Sequence, residues 1–156
     1  MKDDPALRTF IDTWYDDWFA MDRLYYEWAR AQGISLTTLF CLYVIQSNPE
    51  YCTPGQIALR LARSKQTVNS SLDQMEAQGL ILRKIDPSDR RNRLVQFTPE
   101  GREYASRILT QLNGLEQEAF SQLTEEERGQ MNHVNERLAH LLSAALAKKM
   151  LPRDQA

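Results

Sequence analysis

The sequence predicts a mainly α-helical fold with a minor β component, in which one short β-hairpin interrupts a series of helices. Two observations support this prediction. Apolar residues recur at three- and four-residue steps over residues 5–31 and again over the last third of the chain, as on one side of a helix. Between residues 80 and 98 the pattern changes to two short β-type runs that flank a polar, turn-rich segment.

The first predicted helix, residues 5–31, has an unusual number of aromatic side chains. They form one apolar stripe and a second apolar face, so this helix needs to be covered on two sides. The stripe contains Leu7, Phe10, Ile11, Trp14, Trp18, Met21, Tyr25 and Trp28, and the second face contains Tyr15, Phe19 and Tyr26. Its own domain can cover one side, and something else must cover the other.

Three shorter helices are predicted next, over residues 36–46, 54–62 and 65–78. The second begins with the form of a capping box, because the hydroxyl of Thr53 can accept from the backbone at Gln56. Pro54 stands at the first helical position, where its missing N–H costs nothing. Ser64 can cap the third helix, and Gly79 is typical of a residue that follows a helix end.

A hairpin with a basic tip follows, and two further helices complete the chain. The predicted strands are residues 80–85 and 94–98, joined by residues 86–93. Thr98 and Pro99 then begin a long helix through about Phe120. Thr124 and Glu127 form another capping box, which opens the last helix.

The formal net charge of −2 hides an uneven distribution. Residues 60–93 carry eight basic and four acidic side chains, whereas residues 1–30 carry four basic and seven acidic ones. A nearly neutral chain with one basic segment can still bind phosphate, because the local field is what a phosphate meets. Chance clustering on a solvated surface explains the same charges, so charge alone does not decide between them.

Two short helices joined by a tight turn and followed by a basic hairpin are the parts of a winged helix-turn-helix. The second helix can enter a major groove, and arginines of the hairpin can reach a neighbouring minor groove. A polar helix face alone is more typical of a solvated surface, and it is the basic hairpin beside it that favours DNA. Asp89 is interpreted as a brace for one arginine. The candidate DNA-binding residues are Arg63, Ser64, Lys65, Gln66, Thr67, Asn69, Ser70, Asp89, Arg90, Arg91 and Arg93.

Three segments resemble the wing signature of MarR-type transcriptional regulators. They are Leu80-Ile81-Leu82-Arg83, Asp86-Pro87-Ser88-Asp89-Arg90-Arg91 and Leu94-Val95-Gln96-Phe97-Thr98-Pro99-Glu100-Gly101. The order of flanking helices matches too, so the resemblance covers nearly the whole chain. It departs from the family at Ala62-Arg63, because the turn before the recognition helix is usually apolar or glycine. Arg63 is either a phosphate contact of this branch or a solvated residue.

The resemblance implies a sequence-specific regulator, more often a repressor, that binds a pseudo-palindromic operator as a homodimer. It implies one domain over residues 1–156, with dimerisation helices at 1–32 and 99–150 and a winged helix-turn-helix lobe at 35–98. The Asp89–Arg91 pair would fix the wing arginine for minor-groove contact. In many relatives a small aromatic or phenolic molecule binds beside the first helix. Trp14, Trp18, Met21, Tyr25 and Tyr43 are candidates to line such a site, with plain core packing as the alternative.

Two alternatives to this function stay open. A redox response through Cys52 or Cys41 is one, with Cys41 expected inside a helix and Cys52 expected in a more exposed loop. A winged helix that binds only protein is the other, although it would predict an apolar outer face on residues 65–78. No catalytic set, metal cluster or cofactor motif is recognised, so an enzyme is not expected. The absence of a leader or spanning segment in the sequence predicts a cytoplasmic protein.

Overall fold

The computed structural model describes residues 4–87 and 89–150, which form a mainly helical fold with one two-stranded antiparallel sheet. The predicted fold class is thereby confirmed. Residues 1–3 of the predicted first dimerisation helix and Ser88 of the wing lie outside the described residues. The helices are α1 (Pro5–Ala31), α2 (Leu36–Ser47), α3 (Pro54–Arg60), α4 (Lys65–Ala77), α5 (Pro99–Ser121) and α6 (Glu125–Met150), and the strands are β1 (Ile81–Ile85) and β2 (Arg93–Phe97).

The chain divides into two compact units, Met1–Thr110 and Gln111–Ala156. In the first unit the core surrounds α2, which contacts α1, α3, α4 and β2. Because neighbours lie on several sides of it, α2 is apolar around most of its circumference, unlike an ordinary surface helix. The buried apolar side chains of α2 are Leu39, Cys41, Leu42, Val44 and Ile45, and those of α4 are Val68, Leu72 and Met75.

Helices α1, α3 and α4 all end in a Schellman motif with a left-handed residue. Gly33 and Gly79 hold this position after α1 and α4, with φ of 74° and 71°. After α3 the position is held by Ala62, with φ of 48°, and the N–H of Arg63 donates to the carbonyl of Ala58 at 3.0 Å. A Cβ in this conformation costs about 1–2 kcal/mol. The tight turn before α4 therefore forms without the glycine that would favour it.

The end of α4, the end of β2 and the start of α5 meet at one joint, which we call the Thr98 joint. The hydroxyl of Thr98 donates to the carbonyl of Gly79 at 2.7 Å, and its N–H donates to the carbonyl of Leu80 at 3.1 Å. The same hydroxyl accepts the N–H of Gly101 at 2.9 Å. A Cβ built on Gly101 would lie 1.7 Å from the Leu80 carbonyl oxygen. Only glycine permits this approach of the two backbones.

The second unit contains the end of α5 and the whole of α6. The predicted capping box opens α6, where the N–H of Thr124 donates to Glu127 Oε2 at 2.7 Å and the N–H of Glu127 donates to Thr124 Oγ1 at 3.2 Å. These bonds from Thr124, its backbone N–H first, lower the pKa of the Glu127 carboxyl. None of the described residues of α6 is buried within the chain.

We expect Gly101→Ala to lower the free energy of unfolding by about 1–3 kcal/mol or more, because the new methyl group overlaps a backbone carbonyl held in the Thr98 joint. Gly114→Ala is the matched control in the same helix, since a Cβ there meets nothing within 4 Å. Alanine in a helix interior is favoured over glycine by about 0.8–1 kcal/mol. Urea unfolding followed by circular dichroism measures both variants. Equal free energies for the two would contradict the close approach.

Candidate nucleic-acid interface

Helix α4 presents a polar strip to solvent along its first two turns. Ser64 caps the helix, because its Oγ accepts the N–H of Thr67 at 3.0 Å and lies 2.8 Å from the Thr67 hydroxyl. These two hydroxyls therefore define where the helix begins. The predicted residues at this end are all exposed: Arg63, Ser64, Lys65, Gln66, Thr67, Asn69 and Ser70. The structure thus brings together the whole helical part of the predicted set.

The wing is an antiparallel hairpin in which Ile81 pairs with Phe97 and Ile85 pairs with Arg93. Arg93 is thus the first residue of β2, and its predicted position in the loop is wrong because the strand pairing begins one residue earlier than the apolar pattern. The loop before α3 is bonded to β2, since the N–H of Val95 donates to the carbonyl of Cys52 at 2.7 Å. No local pattern in the sequence predicts this last contact.

The turn of the wing is organised by Asp89. Its Oδ1 accepts the backbone N–H of Arg91 at 3.1 Å, and its Oδ2 accepts from Asn92 Nδ2 at 3.1 Å. Arg91 Nε lies 3.5 Å from Asp89 Oδ1, while 94% of the Arg91 side chain stays exposed. Arg90 is exposed beside it. Asp89 therefore fixes the backbone beneath Arg91 and leaves most of that side chain accessible from outside.

Arg83, which the sequence interpretation does not assign to the site, joins the wing to α4. Its Nη1 lies 2.7 Å from Asp73 Oδ1 and 3.1 Å from Glu76 Oε2. Asp73 and Glu76 are one turn apart on α4, so one cation on β1 can reach both carboxylates. The sequence signal for these ion pairs is a charged residue at the centre of a short strand. It follows a helix that carries two acidic residues three positions apart.

The model of the MarR family matches residues 32–92, from the end of α1 into the wing turn. This segment of the chain is similar to the MarR family. Over 110 residues the chain is 26% identical to the transcriptional repressor MprA of Escherichia coli K12. The aligned residues cover 70% of this chain and 62% of that protein. The chain therefore spans less than two thirds of that relative's length.

Solved structures of other proteins share this fold over most of the chain. A MarR family regulator from Neisseria meningitidis, NMB1585, superposes with a TM-score of 0.77 at 19% identity, covering 89% of this chain and 97% of that one. The MepR–DNA complex of S. aureus gives a TM-score of 0.67 at 24% identity and covers 85% and 95% of the two chains. At these identities the likeness shows the fold.

The aromatic residues predicted to line a ligand site have different neighbours. The rings of Trp14 and Trp18 contact edge to face on α1, with centroids 5.2 Å apart. Tyr25 lies 6.1 Å from Phe40 of α2, and the Arg60 guanidinium lies 5.8 Å above the ring of Tyr43. Trp18, Met21 and Tyr43 are exposed, whereas Trp14 and Tyr25 are half-buried. The ring contacts therefore lie at three separate places, with Trp14 and Trp18 on α1, Tyr25 against α2, and Tyr43 beside Arg60 of α3.

Both cysteines are buried, and the expected exposure of Cys52 is wrong. Only 2% of Cys52 is accessible, because its carbonyl accepts from Val95 and the loop is thereby held against the sheet. Burial raises the pKa of the Cys41 thiol to about 12 and that of Cys52 to about 11. A reactive sensor needs an accessible thiol with a lowered pKa, and the structure provides the opposite for both.

Other site types find no support in the described part of the chain. Within residues 4–87 and 89–150 no three His, Cys, Asp or Glu side chains are grouped as metal ligands would be. His133 and His140 lie with Glu136 and Arg137 along a shallow groove on α6. None of the helices described is both long and apolar enough to cross a membrane.

Proposed function

We propose that this chain is a sequence-specific DNA-binding transcriptional regulator that acts in the cytoplasm as a homodimer, as a repressor at a pseudo-palindromic operator. The observation that carries the proposal is the pairing of an exposed polar α4 with an exposed arginine turn on the adjacent wing. The name of MprA as a transcriptional repressor and the fold shared with MepR, which is known bound to DNA, support it.

The two parts of the interface would read DNA differently. Gln66 and Asn69 can each make two hydrogen bonds to an adenine edge in the major groove, and Lys65 suits a phosphate or guanine. Arg91, on the wing turn, suits a narrow A·T-rich minor groove. A winged helix that binds only protein would need an apolar outer face on α4, and the exposed residues of that face are polar.

The homodimer is proposed from the apolar surface that one chain leaves uncovered. None of the described residues of α6 is buried, although a helix of this length derives most of its stability from packing. Large apolar side chains are exposed on both terminal helices, which a stable monomer rarely tolerates. On α1 they include Phe10, Phe19 and Leu24, and on α6 they include Val134, Leu141, Leu142 and Leu146.

The DNA-binding proposal is tested by fluorescence anisotropy with duplexes from the region upstream of the chain's own gene. We expect half-sites about 10–10.5 base pairs apart. Arg91→Ala should weaken binding broadly, whereas Gln66→Ala should change which base is preferred, by about 1–3 kcal/mol. Arg8→Ala removes an equal charge outside the winged helix and is the control. Absence of binding at low salt by the unaltered chain would overturn the proposal.

The homodimer is tested by sedimentation equilibrium, which should give twice the 18.1 kDa of one chain. Leu142→Glu should shift the equilibrium toward the monomer, because it places a charge on the uncovered surface of α6. Leu59→Glu, on α3, is the matched control, since Leu59 is also exposed but lies outside the terminal helices. A monomer at micromolar concentration, or equal effects of the two substitutions, would contradict this assembly.

We further propose that a small aromatic molecule binds beside Trp14 and Trp18 and releases the DNA. Benzoate should raise the melting temperature and weaken DNA binding, since a ligand that binds only the folded state stabilises it. Cyclohexanecarboxylate has the same charge and no aromatic ring, and should do neither if ring stacking is required. Trp18→Ala should diminish both effects of benzoate. This part of the proposal is rejected if neither benzoate nor phenol, at millimolar concentration, changes the melting temperature or the DNA binding of the unaltered chain.

A further inference from the structure

We propose that Arg83 is a positioning residue, which holds the wing at a fixed angle to α4 so that both can contact DNA together. The inference rests on the proposed DNA-binding function and concerns a residue outside the predicted contact set. Arg83 is joined to Asp73 and Glu76 on α4, at 2.7 Å and 3.1 Å. It therefore acts through other residues rather than on the nucleic acid.

The wing is fastened to α4 at two separate points. The first is the Thr98 joint at the base of the hairpin, where Thr98 bonds to the carbonyls of Gly79 and Leu80. The second is Arg83, two residues beyond Ile81 along β1, which is roughly 7 Å further out at 3.3 Å per residue. The Val95–Cys52 bond holds β2 to the loop before α3, whereas these two anchors tie the wing to α4 itself. Two anchors at different distances from the base fix its angle.

The Arg83 anchor differs in kind from the ion pair of the wing turn. Only 21% of the Arg83 side chain is exposed, against 94% for Arg91. Within the described part of the chain, Arg83 Nε and Nη2 are buried and make no hydrogen bond. A guanidinium enclosed in this way faces the protein, and the loss of its carboxylate partners would leave a partly buried charge unpaired. The arrangement suits a link between β1 and α4 and is unsuited to phosphate contact.

A purely electrostatic role and a positioning role predict opposite effects on DNA binding when the two carboxylates are neutralised. Asp73→Asn with Glu76→Gln removes two negative charges from the DNA-facing helix, and a purely electrostatic role would make binding tighter. If Arg83 positions the wing, the same double substitution removes both of its ion pairs and makes DNA binding weaker. The sign of this change therefore separates the two explanations.

The experiment measures dissociation constants for a duplex that the unaltered chain binds, at a temperature where circular dichroism shows every variant folded. We expect Arg83→Met and the Asp73→Asn/Glu76→Gln pair each to weaken binding on the order of tenfold, comparable with the loss of one wing contact. Arg83→Lys should restore most of the affinity, because both ion pairs use the single nitrogen Nη1. If Arg83→Met does not fold, the carboxylate pair and Arg83→Lys carry the test.

A double-mutant cycle with Arg91→Ala completes the experiment. Once the wing is misplaced its arginine contributes little, so Arg83→Met with Arg91→Ala should bind no more weakly than either alone. Lys84→Met is the matched control, since it removes the same charge from the neighbouring exposed position, and its effect should add to that of Arg91→Ala. The inference would be overturned if the affinity losses of Arg83→Met and Arg91→Ala were additive. Tighter DNA binding by the Asp73→Asn/Glu76→Gln variant would also overturn it. Failure of the unaltered chain to bind any duplex would instead overturn the proposed function.

Discussion

The Thr98 joint is the constraint on which the rest of the winged helix depends. One hydroxyl both donates to the carbonyl of Gly79 and accepts the N–H of Gly101, so it closes α4 and opens α5 at the same place. The close approach of Gly101 to the Leu80 carbonyl leaves no space for a side chain between them. One set of contacts, made by the Thr98 hydroxyl with neighbouring backbone groups, therefore joins the end of α4, the base of the wing and the first turn of α5.

This joint helps to explain how the wing keeps a fixed conformation although its sheet has only two strands. An isolated two-stranded hairpin is marginally stable in water. Here its base is bonded to the end of α4, the Val95 N–H bonds to the Cys52 carbonyl, and Arg83 ties β1 back to the helix. The tip is left to a short turn that Asp89 organises, so that a rigid support ends in an accessible Arg91.

The helices and the hairpin could be predicted because their signals are local. The capping boxes at Thr53 and Thr124 satisfy backbone N–H groups three residues away, and the structure contains both. The polar strip on α4 follows from the helical period alone. The errors concerned pairing between distant segments: Arg93 joins β2 because Ile85 lies opposite, and Cys52 is buried because Val95 bonds to its carbonyl.

The sequence by itself therefore determined which segments are helix or strand, which side chains of α4 face outward, and the resemblance to the MarR family. Each of these depends on residues a few positions apart, whose spacing the helix or strand geometry dictates. Only the tertiary structure decided that Arg83 pairs with Asp73 and Glu76 and that Thr98 reaches Gly79, 19 residues earlier. Such contacts depend on how the elements pack, and a one-dimensional pattern does not record which of several possible partners packing will bring within reach.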